Sequence, residues 1–255
     1  AIGSIFGTMN AAYALSFATL DAADSSNDGA ATTVIQSAAV IDMDETGTLT
    51  ITSANGAETA TSVGAITRSD GNPTVIIQAL AADTDDESLA VASITFAVTG
   101  EGDVKVTAAN NAANDGDFTT TIGDFSTLGK FELDANDAGG AASALVVNLT
   151  GTTAVTEAST AVSAAANTIN LNISGTSTTF TGGYAMDAVT GSVTLTMSGS
   201  AAQTFTGAVT VADDADGKID ITNTAGTTFA SLVGAAGANR LGEVDINASA
   251  IATFS

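Results

Sequence analysis

Apolar and polar residues alternate in five short segments of the second half of the chain, and these segments return at a nearly constant interval. They are residues 145–150, 169–174, 193–198, 217–222 and 242–247. One apolar column consists of Val147, Leu171, Leu195, Ile219 and Val244, at steps of 24, 24, 24 and 25 residues. A second column, Leu149, Ile173, Met197, Ile221 and Ile246, has the same steps, and a third column at closely similar steps holds Val155, Phe180, Phe205, Phe229 and Phe254. Three columns in phase indicate a structural repeat.

Strict alternation predicts β-strands that bury one face, since successive side chains of a strand point to opposite sides. A repeat of 24–25 residues that holds two or three short strands is typical of one coil of a parallel β-solenoid, in which equivalent residues stack about 4.8 Å apart. The phenylalanine column is then expected to form an aromatic ladder inside the solenoid. A β-sandwich is the alternative, because antiparallel strand pairs can recur at similar spacing.

The first half carries a looser version of the repeat. Its apolar pairs begin at Leu49, Val75, Val104 and Phe131, at steps of 26, 29 and 27 residues, and the next step, from Phe131 to Val147, is only 16. The Ala- and Gly-rich residues 134–143 lie within this shortened step and therefore predict a boundary between two regions of the chain. We expect an irregular β region at 29–134, either solenoid or sandwich, with acidic loops, and a regular β-repeat region at 143–255.

Residues 1–28 have a different pattern. Apolar residues recur there at steps of three and four, which predicts one face of a short helix that ends before an Asp- and Ser-rich turn. This segment is expected to cap one end of the β core or to pack against a neighbouring subunit. It lacks a basic amino-terminal region, so it does not have the pattern of an intact signal peptide. The chain has no apolar run long enough for a membrane-spanning helix, and we expect no membrane insertion.

Charge narrows the set of partners. The chain carries 28 acidic residues against five Lys and Arg, for a formal net charge of −23. A chain so poor in cations cannot neutralise phosphates, which argues against nucleic acids and anionic membrane surfaces. Because Cys and His are both absent, there are no disulfides and no thiolate or imidazole sites. Divalent cations are the natural counter-charge.

The acidic residues cluster in predicted loops and are separated there by one or two residues. Carboxylate oxygens at this spacing can converge on Ca²⁺, although neither the EF-hand loop nor the glycine-rich calcium nonapeptide is present. The alternative is that these loops are solvated turns in which Asp and Asn make local hydrogen bonds. The candidate calcium ligands are Asp42, Asp44, Asp83, Asp85, Asp115, Asp117, Asp213, Asp214 and Asp216.

A further reason to expect cations is the outward column of the repeat, which is predicted to consist of Asn148, Asn172, Thr196, Asp220 and Asp245. Stacked carboxylates repel one another unless a cation or a partner lies beside them. Asp220 and Asp245 could also serve formally as the carboxylate pair of a polysaccharide-cleaving solenoid enzyme. With no Trp or His and only two Tyr, however, a sugar-binding platform is missing, and we expect the chain not to be an enzyme.

The Ala-, Gly-, Ser- and Thr-rich, Cys-free, acidic composition, with stacked segments such as 193–198, resembles that of bacterial surface-layer proteins and related secreted surface proteins. The resemblance implies an extracellular, cell-surface protein that assembles with itself into a lattice or filament, often with divalent cations. The alternative is an adhesin or phage fibre module that binds a cell-surface glycan or receptor. A polysaccharide-acting enzyme is the less favoured third reading.

Overall fold

The computed structural model describes residues 41–43, 48–52, 61–68, 72–79, 86–96, 100–108, 117–135, 143–164, 166–188, 191–234 and 239–255. These residues form β-strands and contain no helix. The helix predicted within 1–28 lies outside the described residues. The strands are β1 (Ile41–Met43), β2 (Thr48–Thr52), β3 (Thr61–Arg68), β4 (Thr74–Gln78), β5 (Glu87–Phe96), β6 (Asp103–Thr107), β7 (Phe118–Leu128), β8 (Phe131–Ala135), β9 (Ala144–Leu149), β10 (Thr153–Val155), β11 (Ser159–Ser163), β12 (Thr168–Ile173), β13 (Ser177–Phe180), β14 (Tyr184–Ala188), β15 (Ser192–Met197), β16 (Gln203–Thr206), β17 (Val209–Val211), β18 (Asp216–Ile221), β19 (Thr227–Phe229), β20 (Leu241–Ile246) and β21 (Ala252–Phe254).

The strands build a parallel β-solenoid with two sheets. One sheet has 14 strands, and the other has seven, in the order β17-β14-β11-β8-β6-β4-β2. Neighbouring strands in the seven-stranded sheet come from successive coils and are parallel, as in β2–β4 and β14–β17. The solenoid predicted for the second half is therefore confirmed. The described strands of the first half are parallel as well, so the sandwich alternative for 29–134 is wrong for them.

The short step from Phe131 to Val147 has a simple structural cause. Phe131 begins β8 in the seven-stranded sheet, whereas Val147 lies in β9 of the larger sheet, where its Cα partner is Thr120 of β7. The column of β8 continues instead into β11, with Leu133 opposite Ala161. The interval is short because β8 and β9 belong to different sheets. The strand ladders of both sheets continue past residues 134–143. The division into three ranges stays a prediction.

The corner between β9 and β10 stacks on the long strand β7, since Gly151 N donates to Gly123 O at 3.1 Å. The 11-residue strand β7 pairs with β9 through its first part and with β10 through its last part, so one long strand is followed by two short ones. Gly175 shows why this corner is tight: a Cβ atom there would lie 1.9 Å from the carbonyl oxygen of Gly151, in the coil below. Only glycine allows corners to stack so closely. The same close approach occurs in the earlier coils, where a Cβ atom at Gly123 would lie 2.0 Å from the carbonyl oxygen of Ala92.

The inward side chains fill the solenoid with stacked apolar residues. Phe180, Phe205 and Phe229 are buried, with ring centroids 5.5 and 5.6 Å apart along the stack, and Phe254 follows at 5.3 Å from Phe229. The predicted aromatic ladder is thus present from Phe180 to Phe254. Its register is less simple than the sequence steps suggest, because Thr178, and not Phe180, is the Cα partner of Phe205. The rings of Phe180 and Phe205 meet across this offset.

Candidate functional site

The predicted acidic residues fall into separate environments. Asp42 lies in β1, and Asp44, Asp83, Asp85 and Asp115 lie outside the described residues. Asp117 is exposed, and its Oδ1 accepts a hydrogen bond from the backbone nitrogen of Ala144 at 2.8 Å. Its own backbone nitrogen donates to Asp86 Oδ1 at 3.1 Å. Asp117 therefore links one coil to the next, a role that requires no ion.

Three carboxylates converge beside the turn between β17 and β18. Asp213 lies in this turn, Asp216 is the first residue of β18, and Asp187 comes from β14 in the coil below. One carboxylate oxygen from each residue lies within 4.8 Å of the others. The backbone places them there: Met186 is the Cα partner of Val211, and Ala212 N donates to Met186 O at 2.9 Å, which brings the turn over Asp187. We call Asp187, Asp213 and Asp216 the acidic triad.

Asp187 was missed by the sequence reasoning because it is a lone acid inside a strand. A signal was present in the sequence: Val211 follows Met186 by 25 residues, which is one coil length. This step places Asp187, the residue after Met186, beside the residues that enter the acidic turn. A search for acids that lie close together in predicted loops finds only residues that are neighbours in sequence. In a solenoid, residues one coil apart are equally close in space.

Asp214 does not join the triad although it lies in the same turn. Its carboxylate accepts hydrogen bonds from Arg240 Nε at 3.0 Å and from Arg240 Nη2 at 2.9 Å. The Arg240 guanidinium lowers the pKa of Asp214 to about 2. A carboxylate held in this two-pronged way is paired already, so Asp214 is not brought together with Asp213 and Asp216.

The electrostatics of the acidic triad are unfavourable for three bare carboxylates. Burial raises the pKa of Asp187, and the neighbouring carboxylates of Asp216 and Asp213 raise it further. Asp187 Oδ1 is buried and has no hydrogen-bond donor among the described residues. Asp216 Oδ2 accepts one hydrogen bond, from Ala188 N at 3.3 Å. Converging carboxylate oxygens of this kind suit a hard divalent cation such as Ca²⁺ or Mg²⁺.

We expect Asp187→Asn to raise the free energy of unfolding in chelator at neutral pH by about 0.5 kcal/mol, the scale of a solvent-screened charge interaction. Because the pKa of Asp187 is raised in the folded state, the wild type should gain stability as the pH falls through that pKa towards the unfolded value. Urea unfolding at several pH values tests this. The variant should lose part of the gain, and Asp220→Asn, an acid outside the triad, should keep it; equal gains in all three would contradict the prediction.

The predicted outward column exists as a continuous ladder. Asn148, Asn172, Thr196, Asp220 and Asp245 are successive Cα partners. Asn172 Nδ2 donates to Asn148 Oδ1 at 2.9 Å. The positive charge expected beside the stacked carboxylates is supplied by a lysine of the chain itself. Lys218 Nζ lies 3.3 Å from Asp245 and 3.1 Å from Glu243. Asp220 and Asp245 are neighbours on one sheet face and do not face each other across a cleft.

A shallow groove lies on the outer face of the seven-stranded sheet. It is lined by Lys105, Glu132, Leu133, Asp134, Thr160 and Val162. Lys105 Nζ contacts Asp134 Oδ2 at 2.6 Å, and Lys130 pairs with Glu132. The carboxylates of this groove are therefore engaged in surface ion pairs.

Apolar side chains lie open to solvent at the edge formed by β20 and β21. Val244, Ile246 and Phe254 are 43%, 44% and 48% exposed, although Ile219, Ile221 and Phe229, their Cα partners in the coil below, are at most 1% exposed. Among the described residues, no strand pairs with the far side of β20 or β21. We call these two strands the open edge. It presents inward-column side chains together with unpaired backbone groups.

No family model, curated protein or solved structure matches this chain. In the described part of the chain, no helix has the length and apolar character needed to cross a membrane.

Proposed function

We propose that the protein is a self-assembling structural subunit of an extracellular lattice or filament, located at the cell surface and stabilised by divalent cations. The observation that carries this proposal is the stacking of like residues on like through the parallel solenoid, as in the column of Val147, Leu171 and Leu195. Exposed parallel strands with unpaired N–H and C=O groups pair readily with another chain. Here they also present a row of apolar side chains in the register that a following coil would bury.

The open edge fits a second copy of this chain because like residues already stack on like throughout the solenoid. The rings of Phe229 and Phe254 lie 5.3 Å apart at an interplanar angle of only 7°. A further coil of the same pattern would extend this ladder and the apolar columns of Val244 and Ile246. Contact between two different surfaces of the same chain produces open filaments unless the rotation closes a ring.

The extracellular, cell-surface location is supported by composition. The chain has no Cys, few cations and a large excess of acidic residues, in the manner of secreted surface proteins. High net charge of one sign keeps subunits apart. Assembly is then expected to need divalent cations as counter-charge.

The open edge is tested by replacing two apolar side chains with charges. We expect Val244→Asp/Ile246→Asp to abolish assembly, since unpaired carboxylates would have to be buried between subunits. Wild type and variant are compared by negative-stain electron microscopy and sedimentation velocity in Ca²⁺. The control Thr210→Asp places a charge on the outer face of the seven-stranded sheet and should assemble like the wild type.

A wild type that stays monomeric both in Ca²⁺ and in chelator would overturn the assembly proposal. If such a monomer bound a glycan on an array, the adhesin or phage fibre alternative would take its place. Assembly by the double variant at the wild-type level would show that the contact lies elsewhere.

The cation part of the proposal rests on the acidic triad. Ca²⁺ is the ion we propose, held by Asp187, Asp213 and Asp216. Calorimetric titration with Ca²⁺ and with Mg²⁺ should show a site that is weakened at least tenfold by Asp187→Asn. The control is Asp117→Asn, whose carboxylate lies outside the triad. Equal titrations for both variants would remove the triad from the proposal.

A further inference from the structure

Three segments of the chain have the pattern Asn-x-Ser/Thr with a residue other than Pro in the middle. They are 148–150, 172–174 and 247–249. This pattern is the acceptor motif for N-linked glycans, which are attached to surface loops of secreted proteins. Because the motif is short and the chain is rich in Ser and Thr, the local structure decides which of the three segments can accept a glycan.

The first two motifs lie in the sheet, and their amide groups are already in use. Asn148 and Asn172 are half-buried members of β9 and β12, each of which has a paired strand on both sides. Asn172 Nδ2 donates to Asn148 Oδ1 at 2.9 Å, and Asn148 Nδ2 donates to Thr121 Oγ1 at 3.3 Å. The nitrogen that would carry a glycan is therefore engaged in both motifs.

The third motif lies in a turn at a corner of the coil. The turn is closed by Ala250 N, which donates to Asn247 O at 2.8 Å, three residues earlier. The side chains of Asn247 and Ser249 are exposed. Within the part of the chain that the structure describes, neither side chain has a hydrogen-bond partner. The two groups that define the motif, the Asn247 carboxamide and the Ser249 hydroxyl, are thus both open to solvent.

The exposure of Asn247 follows from its position in the coil. Its backbone nitrogen donates to Ile221 O at 3.0 Å, directly after β20. Ser174 and Ser198 occupy the same position after β12 and β15, and each donates in the same way to the coil below at 2.9 Å. Both serines are exposed although β12 and β15 have paired strands on either side. A following coil over β20 would therefore leave Asn247 at the surface.

We infer that Asn247 is an acceptor site for an N-linked oligosaccharide. The donor is a sugar joined to a carrier lipid through pyrophosphate, and a transferase catalyses the reaction. Asn247 Nδ2 forms a bond to C1 of the sugar and gives up one proton to a base of the transferase. The bond between C1 and the phosphate oxygen breaks, and the lipid pyrophosphate leaves with its electron pair. This inference rests on the extracellular location in the proposed function and does not depend on assembly.

The test uses protein secreted by the organism that makes it. Peptides that contain the three motifs are analysed by mass spectrometry before and after enzymatic release of N-linked glycans, which converts a linked Asn to Asp. We expect a glycan on Asn247 and none on Asn148 or Asn172. Ser249→Ala keeps the amide but removes the hydroxyl of the motif, so it should lose the glycan completely. The matched control Ser249→Thr keeps the motif and should retain the glycan.

Circular dichroism of both Ser249 variants verifies that the fold is kept, and assembly of the same preparations is scored separately by negative-stain electron microscopy. An unmodified Asn247, a glycan on Asn148 or Asn172, or a glycan that persists in Ser249→Ala would overturn the inference. Assembled subunits with an unmodified Asn247 would leave the proposed function in place. Glycosylated subunits that stay monomeric in Ca²⁺ would support the acceptor site and overturn the assembly proposal.

Discussion

Phe205→Ala is expected to lower the free energy of unfolding by about 3–5 kcal/mol, the cost of removing a large aromatic side chain from a core that cannot collapse around the gap. Phe205 is fully buried between Phe180 and Phe229, with ring centroids 5.5 and 5.6 Å away. Both neighbours sit on strands fixed by parallel ladders above and below, so neither can move in to fill the space. Urea unfolding of the monomer, followed by circular dichroism, measures the change.

The matched control is Phe254→Ala, at the open end of the same ladder. Phe254 contacts Phe229 on one side only and is 48% exposed, so its removal should cost the monomer less than half as much. Under assembling conditions the order of effects should change, because a following copy is proposed to bury Phe254. Equal losses for the two variants in the monomer would show that burial does not determine the cost.

Gly207→Ala is expected to destabilise the fold by more than about 4 kcal/mol, in the range reserved for severe local disruption. Gly207 has a φ of +118°, and a Cβ atom there would lie 2.0 Å from the carbonyl oxygen of Phe180. That oxygen belongs to the coil below and cannot rotate away as a side chain would. The substitution therefore forces neighbouring coils apart. Expression level and thermal unfolding midpoint are the first measurements.

Gly226→Ala separates the two causes. Gly226 also has a positive φ, +105°, but the atom nearest to an added Cβ is Ile251 Cβ at 3.9 Å. The alanine variant should carry only the conformational cost of about 1–2 kcal/mol. If Gly207→Ala proved no worse than Gly226→Ala, the close approach to Phe180 would not be the reason for glycine at position 207.

The repeat in the sequence predicted the solenoid because like residues stack on like. Val147, Leu171 and Leu195 are Cα partners in adjacent coils, as their steps of 24 residues indicated. The same reasoning did not connect the first half to this column at Phe131. The apolar pairs of the first half lie in the seven-stranded sheet, whereas Val147 lies in the 14-stranded sheet. Spacing gives the length of a coil but does not say which side of the coil a strand occupies.

Register at corners could not be predicted from column steps. The step from Phe180 to Phe205 is 25 residues, the same as from Val155 to Phe180, yet Phe205 pairs with Thr178. The corner at 198–202 is longer than its counterpart at 174–176, and the larger corner absorbs the difference. Hydrophobic periodicity reports the strands, whereas backbone hydrogen bonds and glycine close contacts determine the corners.

The candidate cation site was predicted in part. The segment 213–216 was identified from its local density of acids, but Asp214 within it pairs with Arg240, a residue 26 positions later. Asp187 enters from the coil below. Both differences have one cause: contacts across a coil are as close as contacts along the chain.

The parallel ladders also determine how the molecule should bear mechanical load. The hydrogen bonds between β12 and β15, and between β15 and β18, run along the solenoid axis from coil to coil. Tension spread evenly over the faces of a coil is shared by all bonds of one ladder at once. Tension applied through the chain at one corner breaks these bonds one after another, so that the coil peels. A subunit held by its faces is therefore mechanically stronger than the same subunit pulled by a single strand.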